Sequence, residues 1–181
     1  MASKLILSSL IVASSAAAQP ATLPDFEANL AAHDSATEAL QHWCQLHGIG
    51  KGPIRARVLG AEANDPPAKM RRILDLGGDE PLAMRNVRLT CDDKVLSVAW
   101  NWYVPSRLTP AMNAALKDSD VPFGRVVADL RFRRETLDVT RGQAENCPDG
   151  TISTHRALLR LPDGRPLAYL VECYTAANLG G

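Results

Sequence analysis

Little in this chain of 181 residues announces its chemistry. Aromatic residues make up only 5%, and 20 basic side chains cancel 20 acidic ones, so the formal net charge is zero. A balanced charge leaves no electrostatic footprint for nucleic acid, and no nucleic-acid partner is expected. The chain has no G-x-S-x-G elbow, no Walker loop, no H-E-x-x-H and no dinucleotide fingerprint, so no nucleophile, phosphate loop or zinc-peptidase helix can be named from motifs. Cysteine is sparse: Cys44, Cys91, Cys147 and Cys173 are all there are. His42, Cys44 and His47 sit together in "HWCQLH". A helix turns His42 and Cys44 to different faces, however, and no second cluster completes four ligands, so no metal site is expected.

Long apolar runs are also missing. The segment Leu5 to Ala13 is the longest candidate and is too short to span a bilayer. With Lys4 before it, and Ala16 and Ala18 as a small-x-small pair before Gln19, it reads as a secretory signal peptide. Residues 1–18 are therefore expected to be removed and residues 19–181 to form one domain, periplasmic or secreted, monomeric and without a membrane span. An oxidising compartment permits disulfides, and four cysteines allow three pairings.

What is present is a patterned globular chain, 46% hydrophobic. In "DSATEALQHWCQLHGIG", Ser35 and Glu38 form a capping box, Gly48 is a natural stop, and an apolar stripe lies between them, so a helix is expected. "PIRARVLG" reads as a strand, and "NDPPAKMRRILDLGGDEP" as a breaker-rich connection around a short helical turn. "MRNVRLTC" and "KVLSVAWNWYVP" read as a hairpin turning near Asp92 and Asp93. Thr109 and Pro110 open a short helix. "VPFGRVVADLRFRRETLDV" is read as a Gly turn, a short strand and then polar irregular chain. "HRALLRL" and "RPLAYLVECYT" flank the turn "PDGR". A helix followed by hairpins gives an α+β domain with a single antiparallel sheet.

Period-2 alternation places Ala168, Leu170, Glu172 and Tyr174 on one face of the last strand. Arg85, Val87 and Leu89 likewise share a face. One acid and one guanidinium thus stand among apolar neighbours, where an unpaired charge is expensive. Either they meet as a structural ion pair, or each holds one end of a polar ligand, a role for which the fork of an arginine suits a carboxylate. The cluster Arg131, Arg133 and Arg134 is read as a solvated face.

Several segments in order, "HDSAT", "RNVRL", "NWYVPSRLT", "VPFGRVV" and "PDGRPLAYLVECYT", resemble the chorismate pyruvate-lyase family over Asp34 to Thr175. The resemblance implies an antiparallel sheet of about six strands with helices packed on one face, and an enclosed pocket for 4-hydroxybenzoate. It implies that Arg85 holds the carboxylate, that Glu172 lies at the hydroxyl end, and that Phe123 and Ala36 line the pocket. Arg85 and Glu172 would then face one cavity from neighbouring strands. The implied activity is a cofactor-free elimination of pyruvate from chorismate or a related enol-pyruvyl ether, with Arg85 and Glu172 as its catalytic residues. The alternative is a binding module that holds a small aromatic carboxylic acid and turns nothing over. In neither case is a metal or organic cofactor required.

Hairpin geometry bears on the cysteines. A two-residue turn at Asp163 and Gly164 sets Cys173 across from Thr154. The segment "CPDGTIST" can fold Cys147 back to meet it, so a Cys147–Cys173 bond is favoured, with Cys44 and Cys91 left as small buried thiols.

Overall fold

The computed structural model describes residues 20–60 and 68–181. The expected leader, residues 1–18, lies outside them. Among the described residues there are six strands: β1 (Ile54–Gly60), β2 (Ala83–Cys91), β3 (Lys94–Tyr103), β4 (Arg133–Arg141), β5 (Thr151–Arg160) and β6 (Pro166–Thr175). They form one antiparallel sheet in the order β1-β2-β3-β6-β5-β4. Helices α1 (Leu23–Ala31), α2 (Ala36–Leu46), α4 (Pro110–Asp118) and α5 (Phe123–Val126) pack on one face, here called the inner face. The short α3 (Ala68–Ile73) lies against the outer face, where Met70 packs with Tyr169 and Val171. No described helix is long and apolar enough to cross a membrane.

The local signals act as physical chemistry requires. Ser35 caps α2 by accepting the Glu38 amide, and Thr109 caps α4 by accepting that of Met112. The closing hairpin turns at Gly164, whose φ of 87° suits a residue without a Cβ. β6 lies between β3 and β5 with both faces covered, which explains why its sequence is apolar nearly throughout. Thr154 pairs with Cys173 in the sheet, and Cys147 and Cys173 are bonded, as hairpin geometry led us to expect.

Three elements differ from expectation. α1 carried no sequence prediction. It forms because Thr22 caps it and because Phe26 and Leu30 are buried, Phe26 meeting both Trp43 and Tyr174 edge-on at 5.2 Å between ring centroids. The chain after the Gly turn reverses the expected order. The stretch read as a short strand is α5 followed by a 3-10 turn, and the stretch read as irregular is β4, a nine-residue strand. As an edge strand paired only to β5, β4 shows the polarity that keeps such edges from templating aggregation, and this hides it from a hydrophobic pattern. Cys44 and Cys91 are not free thiols but a second disulfide, because α2 lies over the end of β2 and brings their Cα atoms within 6.6 Å.

Candidate functional site

Sheet register decides which charges share a face. Arg85 pairs with Asn101, and Asn101 with Leu170; Val87 pairs with Ala99, Ala99 with Glu172, and Glu172 with His155. Arg85 and Glu172 therefore both point to the inner face. They stand on β2 and β6 with β3 between them, not on neighbouring strands as expected.

They also serve two clefts rather than one. The first is lined by Glu172, Ala36, Phe123, Asn101, Ser35 and Thr37, and is small, with a cavity volume of about 30 Å³. Three of the expected site residues, Ala36, Phe123 and Glu172, meet here. Its roof is the start of α2 against α5, and Gly124 makes that approach possible: a Cβ there would lie 2.5 Å from the Ser35 oxygen. The second cleft lies under α4 and holds Arg85, Tyr103, Met84, Asn113, Leu116 and Lys117. The Tyr103 ring lines one cleft and the Phe123 ring the other, with centroids 5.3 Å apart, so this pair is the partition.

The two charges are in opposite condition. Glu172 is gripped by Arg134, whose Nη1 donates to Oε1 at 3.2 Å while Nη2 donates to Oε2, and the Tyr174 hydroxyl also donates to Oε2 at 3.0 Å. Both partners are sealed from water, with side chains 6% and 5% exposed. Burial alone would depress the Arg134 pKa, but the Glu172 carboxylate and the buried Tyr174 outweigh it, and the net shift is upward. The Asp34 carboxylate accepts the Arg134 backbone amide at 2.9 Å and ties the start of β4 to the turn before α2. Arg85 has no such company. It is 3% exposed, and its Nε, Nη1 and Nη2 are buried without a hydrogen-bond partner among the described residues. Burial pulls its pKa down, and the nearby Tyr103 offsets this in part.

Arg134 is the residue that sequence reasoning missed. Its parity with Phe132 was the available signal. Both line the first cleft, but parity has meaning only once the segment is known to be extended. His155 was missed for a related reason. It is buried at the centre of β5, its Nε2 lies 3.1 Å from the Ser153 hydroxyl, and the Ser153 hydroxyl donates to Glu27 at 3.2 Å.

Burial lowers the His155 pKa, Glu172 pulls it back up, and Arg134 pushes it down again, with smaller upward contributions from Glu27 and Asp138. The folded chain thus resists a proton that the unfolded chain accepts. Stability should be complete above the ordinary histidine value of about 6.5 and be lost as pH falls below it. Denaturant midpoints measured from pH 8 down to pH 5 check this. His155→Gln should flatten the decline between pH 6.5 and 5, and an unchanged slope would remove His155 as its cause.

Comparison with known proteins gives the class first. PhnF from Mycobacterium smegmatis superposes with a TM-score of 0.57 at 12% identity, covering 81% of this chain and 66% of that one. Its effector domain gives 0.55 at 12% identity, with 78% and 88% covered. The ligand-binding domain assigned to a GntR-family transcriptional regulator of Bordetella bronchiseptica gives 0.51 at 15% identity, with 67% and 84% covered. The chain spans 58% of the length of YydK from Bacillus subtilis. The fold is thus the chorismate lyase-like fold of GntR effector domains, so the resemblance seen in the sequence holds at the level of the fold. No family model matches the chain. Over 175 residues it is 35% identical to the uncharacterized protein y4mC of Sinorhizobium fredii (strain NBRC 101917 / NGR234), covering 86% of this chain and 74% of that protein. The chain belongs to the family of y4mC.

One expectation is corrected by these neighbours. A periplasmic or secreted location was expected, but the proteins that share this fold are transcriptional regulators, which act inside the cell, and that expectation is withdrawn.

Proposed function

We propose that this chain is a binding domain for a small aromatic carboxylic acid and that it turns nothing over. The observation that carries this reading is Arg85, a guanidinium beside a cleft whose three nitrogens are buried and without a hydrogen-bond partner among the described residues. A buried donor left unmade costs about 1–3 kcal/mol, and more when charged. Such a group is a standing cost that a carboxylate in the α4 cleft would relieve through a bidentate pair. The ligand ring would lie against the Tyr103–Phe123 partition, with Ala36 and Glu172 beyond it. Because the nitrogens are sealed, the ligand reaches them only when α4, which carries Leu116 and Lys117, moves aside.

The lyase reading is weaker on the same geometry. Eliminating pyruvate needs positioning and a proton shift. The Glu172 oxygens already accept hydrogen bonds from Arg134 and Tyr174. Glu172 is thus committed to a structural pair rather than poised over a substrate oxygen.

Calorimetry separates the readings. Benzoate and 4-hydroxybenzoate should bind while phenol, which lacks the carboxylate, should not. Chorismate mixed with the protein should yield no 4-hydroxybenzoate by absorbance, and steady product formation would restore the lyase reading. Arg85→Ala should weaken benzoate binding by about 2–5 kcal/mol. Arg85→Met should abolish binding while raising stability by on the order of 1–3 kcal/mol, since it removes an unsatisfied buried charge. A less stable Arg85→Met protein would show that Arg85 has a partner in the free state.

A further inference from the structure

The outer face of the sheet carries a second group of residues that the inner clefts do not use. Trp100 and Trp102 project from it two residues apart on β3, both half-buried, and line a cleft with Asn146 and Val171. Trp43, by contrast, is a core residue whose indole donates to the Asn178 carbonyl at 2.8 Å. Beside the two indoles lies a pair of like charges. Arg57 on β1 is directly across from Arg88 on β2, and both are exposed. Like charges directly opposite each other on a sheet are destabilising. Several other arginines projecting from this sheet have acids: Arg55 pairs with Asp120, Arg156 with Asp138 and Arg160 with Glu135, whereas Arg133, across from Arg160, has none among the described residues. Arg57 and Arg88 have no acidic partner among the described residues.

Register places the charge pair beside the aromatic pair. Arg88 is opposite Val98, so Trp100 is its diagonal neighbour on the same face, about 7–8 Å away and within reach of a long side chain. The face therefore offers two things at one ligand's length: a flat indole surface for a planar ring, and two guanidinium forks for one anion. Arginine forks match phosphate oxygens bidentately, and indole faces stack on bases of any identity.

We propose that this outer face binds a nucleoside monophosphate, with the base on Trp100 and Trp102 and the phosphate between Arg57 and Arg88. Two arginines neutralise one phosphate group. They do not make the extended basic track that a nucleic-acid strand requires, and the zero net charge of the chain agrees. A neutral sugar would leave the arginine pair unrelieved, and inorganic phosphate would leave the indoles unused.

Tryptophan emission of the full chain tests this directly, because two of its three tryptophans lie in the site and the third is in the core. Adenosine monophosphate should quench the emission saturably. Adenosine and inorganic phosphate should each bind at least about tenfold more weakly, since each lacks one half of the recognition. Arg57→Ala and Arg88→Ala lie at exposed positions and should leave the fold intact while weakening the nucleotide by about tenfold each. Trp100→Leu should remove most of the quenching. Benzoate binding should survive all three substitutions, so failure at this face is distinguishable from failure at Arg85. Absence of saturable quenching by the nucleotide, equal binding of adenosine, or unchanged affinity in Arg88→Ala would each overturn the proposal. So would tighter binding of a thymidine oligonucleotide with a steep salt dependence, because that would make the face a strand-binding surface.

Discussion

Arg134→Ala will destabilise the folded chain by about 3–5 kcal/mol, the cost of leaving one member of a buried ion pair alone. The geometry makes this specific. Glu172 is sealed in the sheet face, and without Arg134 the Tyr174 hydroxyl, itself fully buried, would be the one described hydrogen-bond donor left to the carboxylate. Denaturant unfolding of the purified variant reads the loss. A second variant separates pairing from packing: Arg134→Met with Glu172→Leu removes both charges, keeps the volume, and should return most of the stability, because replacing a buried pair by apolar groups is often neutral or better. If Arg134→Ala cost less than about 1 kcal/mol, the pair would be behaving as an exposed one. If the double variant were no better than the single, the arginine would be acting through its packing against the first cleft. The outcome also bears on function. A Glu172 held this firmly serves as a wall of the cleft, and its removal should alter ligand shape selectivity more than any reaction.

Loss of the Cys44–Cys91 bond is expected to be of similar size. The bond spans 47 positions of sequence, and in the chain-entropy model closing a loop of that length stabilises by about 4 kcal/mol. Both cysteines are fully buried between α2 and β2. Cys44→Ala with Cys91→Ala should therefore lower stability by about that amount, measured as the denaturant midpoint under non-reducing conditions. The Cys147–Cys173 bond, spanning 26 positions, should be worth slightly less, about 3.5 kcal/mol. Titration in glutathione buffers then reports whether either bond persists at a cytoplasmic potential, where most structural thiols are kept reduced. A Cys44 and Cys91 double variant as stable as the parent would show that α2 is held on β2 by packing alone. The clamp matters for the site, since α2 carries Ala36 and β2 carries Arg85.

The elements that could be read from the sequence were those whose signals are local. The capping box at Ser35, the Thr109–Pro110 helix start, the Asp92–Asp93 and Asp163–Gly164 turns, and the alternation along β6 each follow from a few adjacent residues and the backbone conformations those residues favour. Together they were enough for an α+β domain with an antiparallel sheet, for placing Arg85 and Glu172 each on an apolar face of its strand, and, through hairpin register, for the partner of Cys173. The rest required contacts between distant segments. β4 looks polar because it is an edge strand, and an edge is a property of the sheet, not of the segment. Glu172 looked like a lone acid awaiting a ligand because its partner, Arg134, lies 38 positions away on that unrecognised strand. Arg85 had the same appearance in the sequence, and there only the assembled inner face shows that no described side chain hydrogen-bonds to it. Pattern along a chain determines which side of an element a charge takes. Whether that charge finds a partner is decided by packing, because desolvation and ion pairing act between neighbours in space.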